Sequence, residues 1–119
     1  VVEDEDAVRE LAARALQEDG YVVFAAGAAE EALELFRREG GRFDLVFSDV
    51  VLPGRSGHEL AMRLLSGERK PRILLSSGYP SGGGRGTPAF SYGFVQKPYT
   101  VATLLRRIRE ELGAGTEPP

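Results

Sequence analysis

Apolar residues along the chain switch repeatedly between two spacings. Val8, Leu11, Ala12, Ala15 and Leu16 recur at helical intervals, forming one face of a 3.6-residue period. Asp6 stands ahead of that stripe, where a carboxylate can cap free backbone N–H groups. Gly20 follows it, where glycine accepts the left-handed conformation that closes a helix. Tyr21 to Ala25 then reads as a short β-rich run. A second helical stripe, Ala29, Ala32, Leu33 and Phe36, ends near Gly40-Gly41. Leu45-Val46-Phe47 is a continuous apolar run that stops at Ser48-Asp49. Leu60, Ala61, Leu64 and Leu65 mark a third helix, and Ile73-Leu74-Leu75 a buried strand ending at Ser76-Ser77. Phe94-Val95 is the last strand. Thr100 caps a final helix with the stripe Val101, Leu104, Leu105, Ile108 and Leu112, closed by Gly113.

Three stretches fall outside this rhythm. Val1-Val2 reads as the stub of a first strand cut close to its acidic end, so upstream residues are expected. From Pro80 to Pro88 the chain is rich in glycine, where helix propensity is very poor. A fourth helix is therefore expected to be short, near Ala89 to Tyr92, or disordered. Residues 114–119 read as a flexible tail or linker, which leaves 1–113 as one domain.

Strands that alternate with helices imply a parallel sheet, because each parallel return needs a crossover. Strands apolar throughout imply helices on both faces. The expected fold is therefore α/β, a doubly wound five-stranded parallel sheet. Right-handed crossovers place every strand's C-terminal end along one rim, where ligands bind in such sheets.

Composition narrows the function. The chain has 119 residues, 42% hydrophobic and 28% charged, which suits one soluble globular domain. Cysteine is absent, which excludes a disulfide framework and thiolate metal sites and fits a cytoplasmic setting. A net charge of -3 and a pI near 5.2 make nucleic acid a poor partner. No apolar run reaches membrane-spanning length, so no membrane contact is expected.

The rim gathers the chemistry. Glu3 and Asp4 follow the first strand, Asp49 ends the third, Ser77 the fourth and Lys97 the fifth. Clustered carboxylates resist ionising together, and a hard divalent cation such as Mg2+ removes that conflict. Asp4 and Asp49 suit direct ligation, with a backbone carbonyl nearby and Glu3 acting through water. Asp49 is placed as a carboxylate nucleophile toward a phosphoryl group, and the cation, Lys97 and Ser77 as stabilisers of its charge. Ser76 competes with Ser77, since only one of two successive strand side chains can face the site. Lys97-Pro98 reads as a loop that admits a cis bond. His58 reads as a surface histidine.

Glu3-Asp4-Glu5, the run Leu45 to Gly54, Gly57, Ser77-Gly78-Tyr79 and Lys97-Pro98 together resemble the response-regulator receiver (CheY-like) family, in family order and spacing, from Val1 to about Leu112. The segments around Ser77 and Phe94 look most like receivers of hybrid sensor histidine kinases. The resemblance implies a flavodoxin-like strand order, 2-1-3-4-5. It implies Asp49 as phosphoacceptor, Glu3 and Asp4 as the acidic pair, the Val51 carbonyl as a metal ligand, Ser77 as switch hydroxyl, Lys97 as phosphate partner and Phe94 as aromatic switch. The implied function is a two-component or phosphorelay receiver, taking a phosphoryl group from a histidine kinase or histidine phosphotransfer protein with Mg2+. It would act as a phosphoacceptor with self-dephosphorylation rather than a turnover enzyme, and a weak homodimer is left open. Two departures stand out: the glycine-rich stretch replaces much of the fourth helix, and the first acid is Glu3 rather than Asp. A second reading is an adaptor of the same shape that is never phosphorylated. A third, a phosphatase, lacks the second carboxylate two residues after Asp49, where Val51 stands.

Overall fold

The computed structural model describes residues 1–78 and 93–114. The glycine-rich stretch, the short helix expected near Ala89 to Tyr92 and the end of the tail lie outside the described residues.

Strands β1 (Leu45–Asp49), β2 (Arg72–Ser77) and β3 (Gly93–Gln96) form a parallel sheet in the order β1-β2-β3. Val2 extends it by single bridges to Ser48 on one side and Ala26 on the other. The spatial order across the sheet is thus Ala26, Val2, β1, β2, β3, which follows the expected 2-1-3-4-5. The count differs from five. Three strands are present among the described residues, and the first two positions are bridges. The reason is local: among the described residues the run Tyr21 to Ala25 meets Val1 to Glu3 at its far end alone, through Val1 N to Phe24 O, Ala26 N to Val1 O and Glu3 N to Ala26 O. Among the described residues no strand pairs with the rest of that run, and Val22 is 88% exposed. An apolar slot of about 410 Å³ opens there, walled by Leu16, Tyr21, Phe24, Phe36, Phe43 and Leu45.

Helices α1 (Asp6–Glu18), α2 (Ala29–Arg38), α3 (Gly57–Leu65) and α4 (Val101–Ala114) cover both faces, with α1 beside α4 and α2 beside α3. Alternation along the strands divides the core accordingly. Ile73 and Leu75 pack with Leu60, Ala61 and Leu64 of α3; Leu74, Phe47 and Val95 pack with Leu16 of α1 and Leu104 and Ile108 of α4. Among the described residues no helix is long and apolar enough to cross a membrane.

Helix ends follow the expected chemistry with one correction. The Thr100 hydroxyl accepts from Thr103 N at 3.0 Å, and α4 runs one residue past Gly113. Gly20 takes φ +101° after α1. Asp6, expected as a cap, is instead the first residue of α1 and binds Arg9; Glu5 occupies the cap position without a side-chain bond. A reciprocal box that the sequence reading did not single out starts α3: Glu59 N donates to Ser56 Oγ at 3.1 Å and Ser56 N to Glu59 Oε1 at 3.0 Å.

Gly57 couples α3 to the end of β1. Its N–H donates to Val50 O at 2.7 Å, and a Cβ there would stand 2.3 Å from the Asp49 carbonyl oxygen. Gly57→Ala should therefore lose about 2 kcal/mol or more in denaturant unfolding, while Gly67→Ala, with open space around it, should stay within about 0.5 kcal/mol of wild type. Equal stability of the two variants would contradict this packing.

Candidate functional site

The rim brings together Glu3, Asp4, Asp49 and Lys97 among the residues that the strand ends were expected to deliver. Parallel bridging of Val2 to Ser48 sets Glu3 beside Asp49, and the turn into α1 carries Asp4. Carboxylate oxygens of Glu3, Asp4 and Asp49 all lie within 4.8 Å of one another. Glu3 and Asp49 are buried, at 4% and 7% exposure, while Asp4 faces solvent.

Lys97 reaches the cluster from the end of β3. Its Nζ donates to Asp49 Oδ2 at 3.0 Å and stands 3.6 Å from Glu3 Oε1. The backbone holds it there: Lys97 N donates to Ser77 O at 2.8 Å, and the Lys97-Pro98 bond is cis, as the sequence admits. The other Asp49 oxygen, Oδ1, accepts from Val51 N at 3.3 Å. The Val51 side chain is 65% exposed and offers no acid to the site.

Electrostatics follow from this crowding. Burial pushes the Glu3 carboxyl above its ordinary range; the Glu5 N–H and Lys97 oppose that, and the charges of Asp49 and Asp4 add to it. Burial alone would lower the Lys97 ammonium, but its hydrogen bond and attraction to Asp49 outweigh this and raise it. Burial, then the charge of Glu3, raises the Tyr99 hydroxyl, whose ring packs edge-on against Phe47 with centroids 5.7 Å apart. When all are ionised, three carboxylates against one ammonium leave two uncompensated negative charges. An all-oxygen donor set with that excess fits a hard divalent cation.

The two serines occupy opposite faces. Asp49 pairs in register with Ser76, and Ser77 with Gln96. By alternation Ser76 shares the face of Leu74, and its buried Oγ has no hydrogen-bond partner among the described residues. Ser77, equally buried, shares the face of Ile73 and Leu75, the cluster against which Phe94 packs. His58, expected at the surface, is half-buried: α3 turns its ring toward Phe94, with centroids 6.0 Å apart.

Sequence reasoning missed Tyr99 and Arg9. Arg9 donates to the Glu3 carbonyl at 2.8 Å and to Asp6 Oδ1 at 2.6 Å. The Asp6–Arg9 spacing of three was readable as a helical ion pair, but nothing in the spacing announces a reach back to residue 3.

Comparison with known proteins gives a consistent result. The family model described as "Response regulator receiver domain" matches residues 1–109. Sensor kinase CckA of Brucella abortus (strain 2308) is 40% identical over 114 residues, covering 94% of this chain. The chain spans 12% of that kinase's length and about half that of the transcriptional regulators it also matches. The crystal structure of the receiver domain from hybrid histidine kinase CckA superposes with a TM-score of 0.79 at 37% identity, covering 93% of this chain and 94% of that one. Response regulator TrrA from Thermotoga maritima, solved in complex with Mg(2+)-BeF, gives a TM-score of 0.78 at 31% identity, covering 92% and 93%.

The raised Glu3 carboxyl predicts a pH dependence. Its protonated form is favoured in the fold, so the stability it contributes is full below the ordinary carboxylate value and is lost as pH rises through the folded one. In chelator, Glu3→Gln should unfold with wild type near pH 4 and roughly 2–4 °C above it at pH 8. A variant less stable than wild type at pH 8, by circular dichroism, would show that attraction to Lys97 outweighs burial.

Proposed function

Because the chain belongs to the response regulator receiver domain family, we propose that Asp49 is its phosphoacceptor, held ready by Glu3, Asp4 and Lys97. The observation that carries this reading is the convergence of three carboxylates within 4.8 Å, one of them 3.0 Å from an ammonium. Receiver domains work in two-component signalling, and the donor proposed here is the phosphohistidine of a histidine kinase or phosphotransfer protein.

In the transfer, an Asp49 oxygen attacks phosphorus. The new O–P bond forms as the N–P bond of the phosphohistidine breaks, and the imidazole keeps the electron pair and takes a proton. Glu3, Asp4, Asp49 and the Val51 carbonyl are the residues proposed to hold Mg2+. When bound, Mg2+ supplies positive charge against the phosphoryl oxygens. Lys97 already donates to Asp49, so its ammonium needs little movement to follow charge onto the phosphoryl group. The Val51 N–H, on Oδ1, keeps the carboxylate from rotating freely.

The response is assigned to Ser77 and Phe94. Both belong to the face that packs on α3, and Phe94 is in register with Leu75, two residues before Ser77. A hydroxyl drawn toward a phosphoryl oxygen leaves space that an adjacent ring can fill. The contact between Phe94 and His58 makes α3 an early sensor of that movement. Loss of the phosphoryl group to water returns the site to its starting state.

Incubation with Mg2+ and acetyl phosphate should add one phosphoryl group to the wild-type chain by mass spectrometry and none to Asp49→Asn, which should keep the fold. A wild-type chain that takes up neither a phosphoryl group nor beryllofluoride would overturn this reading in favour of an unphosphorylated adaptor. Lys97→Ala should still bind Mg2+ but lose most of its spectral response to beryllofluoride; an undiminished response would remove Lys97 from the mechanism.

A further inference from the structure

The turn from Glu3 to Asp6 carries two of the three carboxylates, yet the usual device for fixing a helix entry is missing from it. Glu5 at the cap position of α1 makes no side-chain bond to the free N–H groups of the first turn. Asp4, between the buried Glu3 and the helix, has no side-chain bond or ion pair among the described residues. A loop held only by its backbone would let Asp4 wander.

Arg9 supplies the missing restraint. Its Nη1 donates to the Glu3 carbonyl at 2.8 Å and its Nη2 to Asp6 Oδ1 at 2.6 Å, so one planar group spans both ends of the turn. Gly27 leaves room for the guanidinium in this position: a Cβ there would stand 3.2 Å from Nη1. The Glu3 side chain completes the closure, with Oε2 accepting from Glu5 N at 3.1 Å. Asp6 is 84% exposed, and an exposed ion pair alone adds little stability. The bond to a main-chain carbonyl is the one that fixes position.

We propose that Arg9 is a positioning residue for the cation site, bracing the turn so that the carboxylates of Glu3 and Asp4 meet that of Asp49. The inference rests on the reading of that cluster as a cation and phosphoryl site. Its sign separates it from bulk electrostatics. Arg9 is a positive charge beside an acidic cluster, so removing it should tighten divalent binding if charge alone mattered. Positioning requires the opposite, because groups that orient metal ligands commonly contribute tenfold or more to affinity.

The test is calorimetric titration of the full chain with Mg2+ alone. Wild type should bind, Arg9→Gln should bind about tenfold more weakly, and Arg9→Lys, which keeps the charge but cannot span both partners, should also weaken. Initial rates of phosphoryl uptake from acetyl phosphate should fall in both variants at low Mg2+ and recover at saturating Mg2+. Unchanged or tighter binding in folded Arg9→Gln overturns the role of Arg9. If that variant does not fold, unchanged binding in Arg9→Lys does so. Wild type that binds no Mg2+ would instead sink the reading of the site itself.

Discussion

Like charges held close together in a buried place are the constraint around which this domain is organised. Glu3 and Asp49 are almost fully buried, Asp4 closes the group, and one ammonium answers them. Burial favours the neutral form of Glu3, and the charges of Asp49 and Asp4 add to that, so holding Glu3 ionised here costs stability in isolation. A fold keeps such a cluster only where surrounding structure over-determines it. Here that structure is the sheet: the carboxylates sit on strand ends locked by Val2 N to Phe47 O, Asp49 N to Val2 O and Glu3 N to Ala26 O. The unfavourable charge is local, and the core that opposes it spans both faces of the sheet.

The parallel order turns distant sequence into one site. Parallel pairing brings the ends of β1 and β3 and the residue after Val2 to the same edge, although Glu3 and Lys97 are far apart in the chain. The two faces then carry different buried groups. Asp49 continues the face of Phe47, toward α1 and α4, whereas Ser77 and Phe94 belong to the face toward α3. Asp49 and the pair Ser77 and Phe94 thereby have different neighbours.

Much of this was legible in the residues. Continuous apolar runs ending in Asp49 and Ser77 announced buried parallel strands, and helical stripes placed all four described helices. The acidic pair, Asp49 and Lys97 were readable because polar residues that end apolar strands must lie at a rim. The misreadings have physical causes. Tyr21 to Ala25 has strand composition, but pairing depends on a neighbour as well as on propensity, and among the described residues only Val1 to Glu3 bond to its far end. Asp6 has cap chemistry, but the Arg9 guanidinium competes for its carboxylate. The half-burial of His58 and the reach of Arg9 to residue 3 depend on tertiary placement that local spacing does not encode.

The missing methyl at position 57 also bears on the direction of any movement. The main chain at Asp49 abuts the first residue of α3 with no room between them, and the N–H of Gly57 clasps Val50. Asp49 therefore stands against a fixed anvil. A group added to its carboxylate cannot be accommodated by recoil of β1 into α3, so displacement is steered sideways across the sheet, toward the ends of β2 and β3.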